Sequence, residues 1–285
     1  MSEAETSATG QGALEAHAPI RPIAASRAAT WRRRAFTTIA AAVIAPLVFA
    51  IGWNAAIWLG APPLPHPIAG EYVAAKSKPP RLPVRSDAYK FKRVQAGTSN
   101  DPVTWDSCRA IPYVTYGTPP AGGQLLVETA VAQVSAATGI AFINEGATTE
   151  SPHRDRADYQ PGRYGNRWAP LLVAWTDPKV VPELAGAVVG LGGPGWEYDP
   201  ETGRQVYVTG LLFLDKPQMA NIIESGKRNS AALDVVLHEL GHVMGLTHVN
   251  GQVMAPYVGS TSRGLQIGDK TGLARLGAGR CAPAL

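Results

Sequence analysis

A chain of 285 residues, 45% of them hydrophobic, has enough apolar material for a packed core, which excludes a wholly disordered polypeptide. Its charge is uneven: residues 1–100 hold 12 Lys+Arg against 5 Asp+Glu, whereas residues 101–285 hold 14 against 17. The excess positive charge therefore lies outside the region expected to fold, and a basic face for nucleic acid is excluded there.

Residues 1–34 are rich in Ala, Ser, Thr and Glu without sustained apolar periodicity, the composition of a short disordered tail. The run Ala35–Ala61 carries no charged residue and at helical rise is long enough to cross a hydrocarbon core, so one transmembrane helix is expected. Trp31, Trp53 and Trp58 sit near its ends, and Arg32, Arg33 and Arg34 precede it while the next basic residue is Lys76. This places the N-terminus in the cytoplasm and the remainder outside, a single-pass arrangement at the cell membrane. A cleaved signal peptide, with release of the rest, is the competing reading.

Residues 62–102 form a basic stretch punctuated by Pro62, Pro63, Pro65, Pro67, Pro79, Pro80 and Pro83, which cannot sustain a helix and reads as an extended stalk. From Val103 the texture becomes globular, and residues 103–285 are expected to form one domain. Ile111–Tyr116 alternates as a strand, and Gly122–Thr138 shows helical spacing of Leu125, Leu126, Ala130, Val134 and Ala137. Ile140–Asn144, Leu171–Thr176, Ala187–Leu191 and Val206–Leu214 read as further strands. Asp199–Gly203 reads as a turn between two of them. Leu233, Val236, Leu237, Leu240 and Met244 recur at helical spacing after Asn229 and Ser230, giving a helix over about 230–244. This order predicts an α+β domain, a twisted sheet with helices on its face. Cys108 and Cys281 lie near its two ends and, in an exported domain, are expected to pair.

The segment His238-Glu239-Leu240-Gly241-His242 puts two imidazoles one turn apart on one helix face, the separation that two ligands of one ion require. Gly245 can end the helix in a left-handed conformation and turn the chain back to deliver His248 as third ligand. Three neutral imidazoles leave the fourth position of a tetrahedral zinc open, as in a catalytic site, and Glu239 is placed to act as general base. The five fixed positions of HExxHxxGxxH would arise by chance on the order of 10⁻⁵ times per chain of this composition.

With these residues the sequence resembles the metzincin metallopeptidases, and HELGHVMGLTH followed by Met254-Ala255-Pro256-Tyr257 is most similar to the matrixins. The resemblance covers roughly residues 103–281. It implies a five-stranded, mostly parallel sheet, a Met-turn at Met254 beneath the metal, and an S1′ pocket walled by Pro256 and Tyr257. It also implies a protein or peptide substrate lying extended along an edge strand, placed here at Gly186–Leu191. Matrixins further bind a structural zinc and calcium, for which His153, Asp155 and Asp158 are the only cluster that suggests a site. Two departures bear on the pocket: the interval from His248 to Met254 looks two residues shorter than in typical matrixins, and Val249 stands where they commonly carry Ser. Trp105-Asp106-Ser107-Cys108-Arg109 does not match the family's inhibitory cysteine text, so Cys108 stays a disulfide partner.

The expected activity is zinc-dependent hydrolysis of peptide bonds at the outer cell surface, in protein or in cell-wall peptide. The alternative is a catalytically silent, zinc-stabilised binding module.

Overall fold

The structure, a computed structural model, describes residues 78–225, 229–256 and 264–285. The apolar run Ala35–Ala61 and its flanks lie outside these, and among the described residues no helix is long and apolar enough to cross a membrane.

In chain order the elements are β1 (Lys90–Phe91), β2 (Thr104–Trp105), β3 (Ile111–Tyr116), α1 (Gly123–Thr138), β4 (Phe142–Ala147), α2 (Pro161–Tyr164), β5 (Leu171–Thr176), β6 (Gly190–Tyr198), β7 (Gln205–Asp215), α3 (Lys216–Glu224), α4 (Asn229–Met244), β8 (Leu246–Thr247) and α5 (Ile267–Gly277). Five strands pair in the order β2-β7-β5-β3-β4, all parallel, and β6 adds antiparallel to β7. The sheet is thus α+β in kind and mostly parallel, but has six strands, not five, because the two-residue β2 extends it.

β5 shows why the sheet reads as continuous apolar runs. All six of its residues, Leu171–Thr176, are buried because both faces of the sheet are covered. Leu171, Val173 and Trp175 join α1, α4 and α5 in the larger core. Leu172 and Ala174 face the other way, onto Val181, Leu184 and Val188 of the long connection between β5 and β6 and onto Leu191 of β6.

That outer face is also covered by the 148–168 loop, which is held down by a buried ion pair. Arg156 binds Glu150 through Nε to Oε1 at 2.8 Å and Nη2 to Oε2 at 2.7 Å, and its Nη1 donates to the carbonyls of Pro170 and Gly210. Gln160 and Tyr164 donate to the same carboxylate at 2.7 and 2.6 Å. A buried charge so fully hydrogen-bonded fixes the loop's path over the sheet.

Residues 89–102, which composition groups with the stalk, pack onto the domain. Tyr89 and Phe91 lie against the core, and β1 pairs antiparallel with β8, Phe91 opposite Leu246. Prolines upstream end near Pro83, so nothing prevents this short stretch from extending and pairing.

Cys108 and Cys281 are bonded across a sequence separation of 173, tying the chain before β3 to the chain after α5. Cross-linking so long a loop removes denatured-state entropy worth about 5 kcal/mol in the chain-entropy model. The Cys108→Ser, Cys281→Ser double variant is therefore expected to lose several kcal/mol of unfolding free energy in urea titration. A loss under about 1 kcal/mol would mean that packing alone holds the two ends.

Candidate metal centre

α4 carries the site because its apolar residues bury the face on which the imidazoles project. His238, Glu239 and His242 are 0%, 0% and 1% exposed. The helix ends at Gly245, whose φ of 113° an L side chain rarely adopts and whose Cβ would stand 2.7 Å from the Tyr207 ring. Trp105 Nε1 donates to Val243 O at 3.1 Å, fastening this last turn to β2. The chain then reverses through β8 and brings in His248.

The three side chains converge as a ligand set. His248 Nε2 lies 3.2 Å from His238 Nε2 and 3.1 Å from His242 Nε2. A tetrahedral ion at zinc–nitrogen distances of 2.0–2.1 Å would ask for about 3.3 Å between its ligands. His238 Nδ1 donates to Val253 O at 2.8 Å and His242 Nδ1 to Leu246 O at 3.0 Å. A carbonyl oxygen can only accept, so each Nδ1 holds the proton and each Nε2 presents its lone pair inward. Burial pulls the His238 pKa down to about 4 and lowers those of His242 and His248, so all three rings are neutral, as metal ligation requires. The donor set and its spacing fit a zinc ion.

Glu239 completes the arrangement. Among the described residues neither of its buried carboxylate oxygens makes a hydrogen bond of full geometry. Burial pushes its pKa up to about 8, with Lys92 and the Gly192 backbone pulling the other way. A buried carboxyl group without a full hydrogen-bond partner is costly, and such groups cluster at functional sites. β6 makes room for it: a Cβ at Gly190 would come within 2.8 Å of Glu239 Cγ, and one at Gly192 would overlap the Glu239 carbonyl. β6 begins later than the expected Ala187–Leu191 strand, and the missing side chains of its Gly190 and Gly192 allow the close approach. The edge strand lies at Gly190–Tyr198 and not at Gly186–Leu191, and among the described residues its far side is unpaired.

Met254 is 2% exposed and lies under the helix, where a Cβ on Gly241 would overlap its sulfur. Pro256 follows, half-buried, and Tyr257 lies outside the described residues. His153 and Asp155 are exposed and do not join Asp158 in a ligand set. Asp158 turns instead toward β6, where burial and the neighbouring Glu197 raise its pKa to about 6. Asp199 holds the 199–203 turn through the Glu201 N–H and the Thr202 hydroxyl. A second group of potential ligands, Asp106, Cys108 and Cys281, uses cysteines already consumed in the disulfide.

The spacing of the motif leaves two positioning residues undetected. Asp269, in the first turn of α5, accepts from Val253 N at 2.9 Å, Met254 N at 3.4 Å and Gln266 N at 2.8 Å. Gln252 Oε1 accepts from Gly268 N and Asp269 N at the start of the same helix. Together they pin the turn whose Val253 carbonyl orients His238. The capping-box spacing of Gln266 and Asp269 is the one sequence signal that points to this helix start.

The matrixin family model matches residues 193–276, from within β6 to the last turn of α5. No curated protein matches the chain. Among solved structures the chain is similar to high choriolytic enzyme 1, a hatching enzyme zinc-protease from Oryzias latipes (Medaka fish), at 17% identity and a TM-score of 0.23. That similarity covers 51% of this chain and 50% of the other, so the chain spans about half the length of the structure it matches.

Removing the carboxylate of Asp269 should loosen the Val253 carbonyl and with it His238. Asp269→Ala is expected to weaken zinc affinity about 10- to 100-fold, the usual cost of losing a group that orients a ligand, as measured by chelator competition. Unchanged affinity in a folded variant would show that His238 needs no such support.

Proposed function

We propose that this chain is a zinc-dependent endopeptidase of the matrixin kind. The observation that carries the reading is the convergence of three inward-facing Nε2 atoms beside a buried, unpartnered Glu239 at the start of a free sheet edge. The matrixin match over residues 193–276 includes every one of the proposed ligands and supports the same reading.

His238, His242 and His248 would hold the ion, and bound zinc supplies a lowered pKa for water, toward about 7, and polarisation of the scissile carbonyl. Glu239 takes the proton of the attacking water as the new C–O bond forms. It then delivers that proton to the amide nitrogen as the C–N bond breaks, so that a carboxyl and an amine product leave and Glu239 is regenerated. The free side of β6 would hold the substrate as an added antiparallel strand, through backbone hydrogen bonds indifferent to side-chain identity. Met254 supports the metal from below, and Pro256 with Tyr257 would wall the S1′ pocket. Cleavage of protein or cell-wall peptide at the outer face of a membrane, with Ala35–Ala61 as anchor, follows from the charge asymmetry around that run. Calcium is a further ion that the resemblance admits and the mechanism does not require.

Zinc-loaded protein should cleave a diverse peptide library, and chelation should stop it. Glu239→Ala should bind one equivalent of zinc yet lose about 10²- to 10⁴-fold or more in kcat, the range for removal of a general base. Full zinc occupancy with no cleavage by the wild type would move the chain to a zinc-stabilised binding module.

A further inference from the structure

The face of the sheet opposite α4 holds a cavity of about 570 Å³, between the 148–168 loop and the far end of β6, walled by Asp158, Tyr159, Trp168, Glu197 and Tyr198. It stands across the sheet from the zinc ligands. Cβ atoms at Gly190 and Gly192 would meet Glu239, whereas one at Gly195, on the other face of β6, would meet the Asp158 carboxylate and Thr209. The volume is that of a small-ligand site, within the usual range of about 300–1,000 Å³.

The aromatic wall offers rings, because its polar tips are engaged elsewhere. Trp168 Nε1 donates to Leu285 O at 3.1 Å, the Tyr159 hydroxyl donates to Asn166 Oδ1 at 3.1 Å, and the Tyr198 hydroxyl accepts from Gln205 Nε2 at 3.2 Å. Tyr159 and Trp168 are bridged through their backbones and stand edge to face, their ring centroids 6.1 Å apart. What the three residues present is π-surface, whose negative faces attract cations.

The carboxylates add charge of matching sign. Among the described residues neither Asp158 nor Glu197 makes an ion pair. Burial raises the pKa of both, that of Asp158 to about 6, where repulsion from Glu197 adds to the effect. The guanidinium on this wall, Arg156, grips Glu150 with Nε and Nη2, so its charge is already balanced. The cavity therefore joins uncompensated negative charge to aromatic surface. A divalent metal ion, which seeks oxygen ligands, gains nothing from such rings, whereas an organic cation uses both.

We propose that this cavity binds an organic cation, an alkylammonium or guanidinium group, against the carboxylates of Asp158 and Glu197 and the rings of Tyr159, Trp168 and Tyr198. The group is carried by a free amine or by a Lys or Arg side chain of a peptide. The site is separate from the zinc centre, and it stands whether or not the chain is a peptidase.

The test is calorimetric titration of the full-length, zinc-loaded protein with n-butylammonium, methylguanidinium and, as a neutral counterpart, 1-butanol. The two cations should bind at one equivalent, about tenfold or more tighter than the alcohol, with a preference that added salt reduces. Asp158→Asn combined with Glu197→Gln keeps the shape of both side chains and should bring that ratio to about one at unchanged zinc content. Tyr198→Leu, at the exposed rim, should weaken the cations several-fold more than the alcohol. Competition of acetyl-Gly-Lys-Gly-amide with butylammonium would assign the group to a polypeptide side chain, and binding of butylammonium without such competition would assign it to a free amine. Equal binding of butylammonium and butanol, a preference that survives in the double variant, or calcium held by these carboxylates in place of the amines would overturn the proposal. None of these outcomes bears on cleavage of peptides at the zinc centre.

Discussion

Burying two imidazoles and a carboxylate side by side at the centre of a domain is the constraint to which the rest of the structure answers. His238, Glu239 and His242 are all but inaccessible to solvent, and such groups cost several kcal/mol unless their polar atoms are committed. The imidazoles are committed through Nδ1 to Val253 O and Leu246 O, which leaves each Nε2 facing inward. The carbonyls are held in turn, Val253 by the grip of Asp269 on its N–H and Leu246 by the pairing of β1 with β8. Glycines at 190, 192 and 241 let β6 and Met254 close on the helix from two sides. Site and fold are therefore one packing problem, and a change to any of these contacts acts on the ligand geometry.

The rest of the sheet supplies the stiffness this requires. β5 and β7 are buried on both faces, with α1, α4 and α5 on one side and the connection before β6 on the other. The 148–168 loop closes the outer side around Glu150 and Arg156, an arrangement held by hydrogen bonds and an ion pair. This leaves β6 as the antiparallel edge, paired on one side and, among the described residues, open on the other, directly beside Glu239. The position of Glu239 and the open edge of β6 beside it thus arise from the same topology.

Much of this is legible in the residues. The ligand triad follows from helical periodicity, since positions four apart share a face, and from Gly245, which alone could turn the chain back toward His248. β3, β5 and β7 carry unbroken or alternating apolar runs that survive any context. β6 is displaced from its expected place because Gly192, Gly193, Pro194 and Gly195 suppress the strand signal, and the reason for Gly192, close approach to Glu239, exists only in three dimensions. The alternation Tyr89-Lys90-Phe91-Lys92 is a readable strand pattern, but the prolines before it group it with a linker. Asp269 reaches the site through the N–H of Val253, 16 residues before it in the chain, and no local pattern announces that contact. His153, Asp155 and Asp158 show the converse, since their proximity in sequence does not survive the turn of the chain toward Glu197.

On this reading the imidazoles of His238, His242 and His248 would hold one zinc ion in an open coordination shell. X-ray absorption at the zinc edge of the stoichiometrically loaded protein tests it most directly. The account predicts three nitrogen scatterers at about 2.0–2.1 Å with imidazole outer-shell features and one further light-atom ligand from solvent. Sulfur scattering at about 2.3 Å, a fourth imidazole, or failure to bind an equivalent of zinc would contradict it.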